Sequence, residues 1–132
     1  MTFQEFFEKD YKYRSYDQKI SNARYDYNRL VRTVGSSETI ELICVAAGAS
    51  GAVNDERYKI MIDLTNDRAS KGSFACLVQN MYTPYTLGRV CKMFHKDKDT
   101  IYSAIAIVLL FASTKGYLSS DDNKMIDIIY NG

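Results

Sequence analysis

Cys91 and His95 stand four residues apart, a spacing that sets both side chains on one face of a helix. A thiolate beside an imidazolium is a nucleophile paired with its base. Cys91 also falls on an apolar stripe with Val90 and Phe94, where cysteine ordinarily serves as inert packing. No third group follows to orient the histidine. One Cys and one His are too few for a zinc site unless chains share it. Phosphate loops, dinucleotide glycine fingerprints and metal-hydrolase spacings are absent from the sequence, so a non-enzymatic role without a cofactor is expected.

Binding chemistry has better material. Arg89, Lys92, Lys96 and Lys98, with His95 beside them, make a basic face suited to phosphates, a nucleotide or an acidic protein surface. Cations near a helix C-terminus account for the same residues without a partner. A second group lies near the N-terminus, where Tyr13, Tyr16, Arg24 and Arg29 belong to a Tyr/Arg-rich surface. Tyrosine and arginine are enriched at protein-binding hot spots, although a solvated mixed-charge helix face has the same composition.

The bulk numbers fit one soluble domain. The chain has 132 residues, 46% of them apolar and 25% charged, with one proline and seven glycines. That length can bury a continuous core. A formal net charge of +1 provides no global field for nucleic acid, which leaves nucleic-acid binding possible only through a local patch. Cys44, Cys76 and Cys91 are odd in number and scattered through apolar patterns, as free thiols in a reducing compartment would be. The first ten residues lack the basic start and apolar run of a signal peptide. The apolar run 104–112 is far short of the roughly 18 to 20 residues that span a bilayer. A cytoplasmic protein without membrane insertion is expected.

The elements that must position these residues are helical throughout. Phe3, Phe6, Phe7 and Tyr11 predict a short first helix, and Ile20, Ala23, Tyr27, Leu30, Val31 and Val34 predict a second, stopped by Gly35. Ser37 is the expected N-cap of a third helix with Ile40, Ile43, Cys44 and Ala47 buried. Asn54 should cap a fourth that buries Ile60, Met61 and Leu64 and runs to about Lys71–Gly72. Phe74, Leu77, Val78 and Met81 form another stripe, and Thr83–Pro84 opens a helix burying Leu87, Val90, Cys91 and Phe94. Asp99 or Thr100 is the expected cap of a central apolar helix, Ile101–Ala112. Ser119, with Asp122 three residues on, should open the last helix, which buries Met125, Ile126 and Ile129. The prediction is an all-α, single compact bundle of about seven to eight helices over residues 1–132.

A shift of 65 residues brings two stretches into register. Ile40, Ile43, Cys44 and Ala47 meet Ile105, Val108, Leu109 and Ala112. Beyond them Gly51 meets Gly116, Val53 meets Leu118 and Ile60 meets Met125. Residues 37–71 and 100–131 therefore read as a helix–loop–helix pseudo-repeat packed about a pseudo-twofold axis, with Val53 and Leu118 plugging the core. An EF-hand is excluded, since the positions before either glycine offer no carboxylate.

Two copies of an apolar, alanine-containing helix, then x-Gly-x-(Val/Leu)-x-x-(Asp/Glu), then an amphipathic helix, resemble the TerB-like domain. That family is an all-helical module of bacterial tellurite-resistance, stress-response and phage-defence systems. The resemblance implies a protein-docking role and metal ligation by loop acids, here Glu56, Asp121 and Asp122. Ser50 and Lys115 stand where the family has Asp before the glycine, and a lysine there repels a cation. The same acids also suit helix N-termini as plain dipole charges. The second functional expectation is a small phage- or mobile-element-encoded inhibitor of a host defence effector, an anti-CRISPR or similar anti-defence protein acting by direct protein binding. The third is nucleic-acid or nucleotide binding through the basic face. An isologous homodimer through the Tyr-rich N-terminal helices is a further expectation.

Overall fold

The computed structural model describes residues 1–132 and is built from eight α-helices with no strand. They are α1 (Phe3–Lys9), α2 (Tyr16–Thr33), α3 (Ser36–Ser50), α4 (Asp55–Thr65), α5 (Lys71–Met81), α6 (Pro84–Lys92), α7 (Lys98–Ala112) and α8 (Ser120–Asn131). A 3-10 turn, Tyr11–Tyr13, joins α1 to α2. The predicted all-α bundle is thus the observed architecture. No helix is long and apolar enough to cross a membrane.

Two helices form the centre. From Ala104 to Ala112 every residue of α7 except Ala106 is buried, and α3 is buried without a break from Leu42 to Ala47. A helix apolar all round must be enclosed by others. Accordingly α7 packs against α2, α3 and α8, while α3 also meets α5 and α6. Four phenylalanines, Phe7, Phe74, Phe94 and Phe111, are fully enclosed. Each contributes about 1.5–3 kcal/mol by leaving water, and Phe7 seats the seven-residue α1 on the body with Phe3 and Phe6 packed beside it.

Polar ties fix the outer helices. The hydroxyl of Tyr16 donates to Asp63 at 2.5 Å, and Arg24 Nε donates to the Asp63 carbonyl at 2.7 Å, locking α2 to α4. On the other side of α2, Ser103 of α7 donates to Asp26 at 2.9 Å.

Several local expectations are corrected. Gly35 caps α3 in place of Ser37, because the chain enters the helix through φ 135°, a backbone conformation that side chains rarely adopt. Asp97 caps α7 in place of Asp99 or Thr100: its carboxylate accepts the Thr100 N–H at 2.9 Å, and the helix starts three residues early. The helix expected to run to Lys71–Gly72 stops at Thr65, because Asn66 turns into the left-handed region at φ 58°. Ile40 is only half-buried, and Leu77 and Cys76 on α5 are exposed, since α5 rests on α3 by one narrow face carrying Phe74 and Val78. The caps at Asn54, Thr83 and Ser119 form as expected, the last as a reciprocal capping box with Asp122.

Candidate functional site: the paired loops and the aromatic edge

The loops of the two helix–loop–helix units meet. Lys115, in the turn after α7, sends its ammonium across to Ser50 Oγ at 3.4 Å; these two positions are related by the 65-residue shift. The same ammonium lies 2.5 Å from Asp122 Oδ2, which also accepts the Ser119 N–H at 2.8 Å and the Ser119 hydroxyl at 2.9 Å. Asp122 has no exposure, and its second oxygen, Oδ1, is buried without a hydrogen-bond partner. Its counterpart under the same shift is Arg57, also buried. Arg57 donates from Nε to Thr114 Oγ1 at 3.0 Å and from Nη1 to the Ala52 carbonyl at 2.8 Å, so it ties its own loop to the other one.

Glu56, Asp121 and Asp122 are not gathered into a ligand set. Glu56 is exposed, Asp121 accepts a hydrogen bond from the Tyr82 hydroxyl, and Asp122 is neutralised by Lys115. No group of three His, Cys, Asp or Glu residues is placed to hold an ion. A divalent cation does not fit beside a buried ammonium that already sits on the carboxylate. The Tyr82 phenol that engages Asp121 is pushed up, first by burial and then by that bond and the two aspartates beside it. Its ring fills the space over Gly48 of α3, where an added Cβ would come within 2.5 Å of it.

Cys91 and His95 do not form a nucleophile–base pair. Cys91 has no exposure, and burial pushes its thiol up to about 12. His95 shares a hydrogen bond with the Ile129 carbonyl through Nδ1 at 3.0 Å. No hydrogen bond joins the two side chains.

The nine residues expected to bind a partner separate into tied and free groups. Tyr16 and Arg24 are the ties to Asp63 described above. Arg89 is paired with Glu41 at 2.8 Å, and His95 is engaged by α8. Lys92 and Lys96 are exposed and make no ion pair within the chain. Tyr13 is 74% exposed. Arg29 stacks on Tyr25, 4.9 Å from the ring centre, and donates to its hydroxyl at 2.9 Å. Lys98 lies 5.9 Å from the Tyr102 ring centre.

Tyr102 belongs to a cluster that the sequence does not signal. Phe3 from α1, Tyr102 from α7 and Tyr130 from α8 meet with ring centres 5.5 to 6.4 Å apart. Tyr102 and Tyr130 stay 43% and 47% exposed. Each ring comes from a different helix, at positions 3, 102 and 130, so no local spacing reveals the group. Arg57 had a signal, being the residue that the internal shift aligns with Asp122. Tyr82, between α5 and α6, had none. The chain matches no family model, no curated protein and no solved structure.

Proposed function

We propose that this chain is a non-enzymatic protein-interaction module of the TerB-like kind that docks through the aromatic edge formed by Phe3, Tyr102 and Tyr130. The observation that carries the proposal is the exposure of two tyrosine rings packed against a third aromatic, with Lys98 alongside. Half-exposed tyrosines, with only two side-chain torsions to fix, lose little entropy on binding and supply both apolar area and a hydroxyl. Arg29 and Tyr25, from the neighbouring turns of α2, extend the surface with a preformed cation–π pair. The paired loops act as scaffold: Lys115 supplies from within the chain the positive charge that a metal would otherwise bring to Asp122.

Nucleic-acid binding has weaker support. Arg89 is committed to Glu41, and Lys96 and Lys98 alternate with Asp97 and Asp99, which offsets their field on a phosphate backbone.

The test is capture of partners from the native host by wild-type protein and by a Tyr102→Ala/Tyr130→Ala variant of unchanged helicity, with identification by mass spectrometry. Two central tyrosines should each cost about 2 kcal/mol, roughly 30-fold in affinity, so the specific partner disappears with the variant. A partner retained equally by both proteins sinks this assignment of the surface. Recovery of a stress or defence component supports the first role. Recovery of a defence effector that the chain inhibits assigns it instead to the anti-defence class encoded by phage or mobile elements.

A further inference from the structure

A pocket of about 240 Å³ lies beneath the N-terminal segment, between α2 and α7. Its floor is apolar, and its α2 wall carries two charged groups that lack an ionic partner in the chain. Lys19 donates only to the Lys12 carbonyl, at 3.3 Å, with its ammonium 5.6 Å from the centre of the Tyr11 ring that also lines the pocket, and no carboxylate lies within ion-pair distance. Asp26 accepts only the Ser103 hydroxyl, at 2.9 Å, and no cation is paired with it. Both are partly desolvated: burial lowers the Lys19 ammonium and raises the Asp26 carboxyl. Unpaired, partly buried charges cost stability, and a ligand of matching charge would relieve that cost.

The spacing defines the ligand. Lys19 and Asp26 are seven residues apart, two helical turns on one face, so their Cα atoms stand about 10 Å apart and the side chains do not reach each other. At the Asp26 end the pocket is lined by Phe3 and Tyr102, aromatic residues of the kind that attract an ammonium. At the Lys19 end it is lined by Phe6 and Arg14. Asp10 holds Nε and Nη2 of Arg14 at 2.9 and 3.3 Å, leaving Nη1 without a bond in the chain. We infer that this pocket binds a small zwitterion whose ammonium and carboxylate stand at opposite ends of an unbranched apolar body. The amine would lie on Asp26 and the acid on Lys19 with Arg14. This goes beyond the docking role; the pocket shares Phe3 and Tyr102 with the aromatic edge, but its charged ends, Asp26 and Lys19, lie outside that edge, so the substitutions below test it separately.

8-Aminooctanoate, an unbranched chain with an ammonium at one end and a carboxylate at the other, is the probe. Octanoate and octylamine are the controls, each added to the full chain in calorimetric and amide-shift titrations. A charge-assisted hydrogen bond at each end should make the zwitterion bind about tenfold or more tighter than either control. Asp26→Asn should erase its advantage over octanoate, and Lys19→Met its advantage over octylamine. Amide shifts in the wild-type chain should centre on Ala23 and Ala106, a readout that holds even if a variant fails to fold. Equal affinities for the three probes, no binding of any, an advantage that survives both substitutions, or shifts centred elsewhere would each overturn the inference.

Discussion

The ammonium of Lys115 and the carboxylate of Asp122 form an ion pair at 2.5 Å, with side-chain exposures of 10% and 0%. The pair spans the turn between α7 and α8, and Lys115 reaches on to Ser50 in the opposite loop. Through it the second loop is closed on itself and joined to the first. Arg57 makes the reverse connection to Thr114. The two units of the pseudo-repeat are therefore stitched by residues that do not resemble each other chemically but occupy matching positions.

Removal of one partner leaves the other buried and uncompensated. Lys115→Met should destabilise the chain by about 3–5 kcal/mol, because it strips the buried Asp122 carboxyl of its ion-pair partner. The double variant Lys115→Met/Asp122→Asn should recover most of the loss, since the neutral amide retains an acceptor for the Ser119 cap. Urea unfolding of the wild type and the two variants checks this. A single variant as stable as the wild type would show that the pair is solvated.

Two helical glycines should respond oppositely to alanine. Gly48 of α3 faces the Tyr82 ring, where a new Cβ would come within 2.5 Å, so Gly48→Ala should cost about 1–3 kcal/mol through overpacking. Gly88 of α6 has nothing within 4 Å of the same position, and Gly88→Ala should stabilise by about 0.5–1 kcal/mol through helix propensity. Thermal unfolding of both variants decides the matter: the two shifts in Tm should have opposite signs.

These glycines also mark what the sequence could reveal. Helical periods and caps are local, so the stripe on α6 and the caps at Asn54, Thr83 and Ser119 were legible in order along the chain. The capping of α3 was not, because Gly35 is required by its positive φ, a backbone angle that the sequence pattern does not reveal. Nor was the early stop of α4, set by the left-handed turn at Asn66. Of the candidate site, the internal shift exposed the positions of Lys115 and Ser50 but not that they touch. Asp26 and Ser103, and the three rings of the aromatic edge, come together only through tertiary packing. Tyr16 and Arg24 looked like surface residues for the same reason: their partner, Asp63, is on another helix.

Thiol reactivity should separate the three cysteines. Cys44 and Cys91 are buried, and burial raises both thiols to about 12, whereas Cys76 is exposed on α5. Alkylation of the native chain at about pH 8 should add one label, at Cys76, since the reagent needs an accessible thiolate. All three should label in denaturant. Peptide mass mapping reads the sites, and rapid native labelling of Cys91 would contradict its burial.

Alkaline pH should unfold the chain earlier than acid-side carboxylate chemistry would suggest. Burial raises the thiols of Cys44 and Cys91 and the phenols of Tyr11, Tyr16 and Tyr82, with Asp63 and Asp121 adding to the last two. A group whose pKa is raised on folding contributes fully below its unfolded value. Its contribution is lost as pH climbs from there towards the folded value, because the unfolded chain ionises first. The unfolded values are about 9 for cysteine and 10 for tyrosine. The urea midpoint should therefore hold level from about pH 7 to 9 and fall steadily above that. Tyr82→Phe removes one of these groups and should flatten the decline, although it lowers stability at neutral pH by freeing Asp121. A midpoint that stayed level to about pH 10.5 would mean that these hydroxyls and thiols ionise freely in the folded chain.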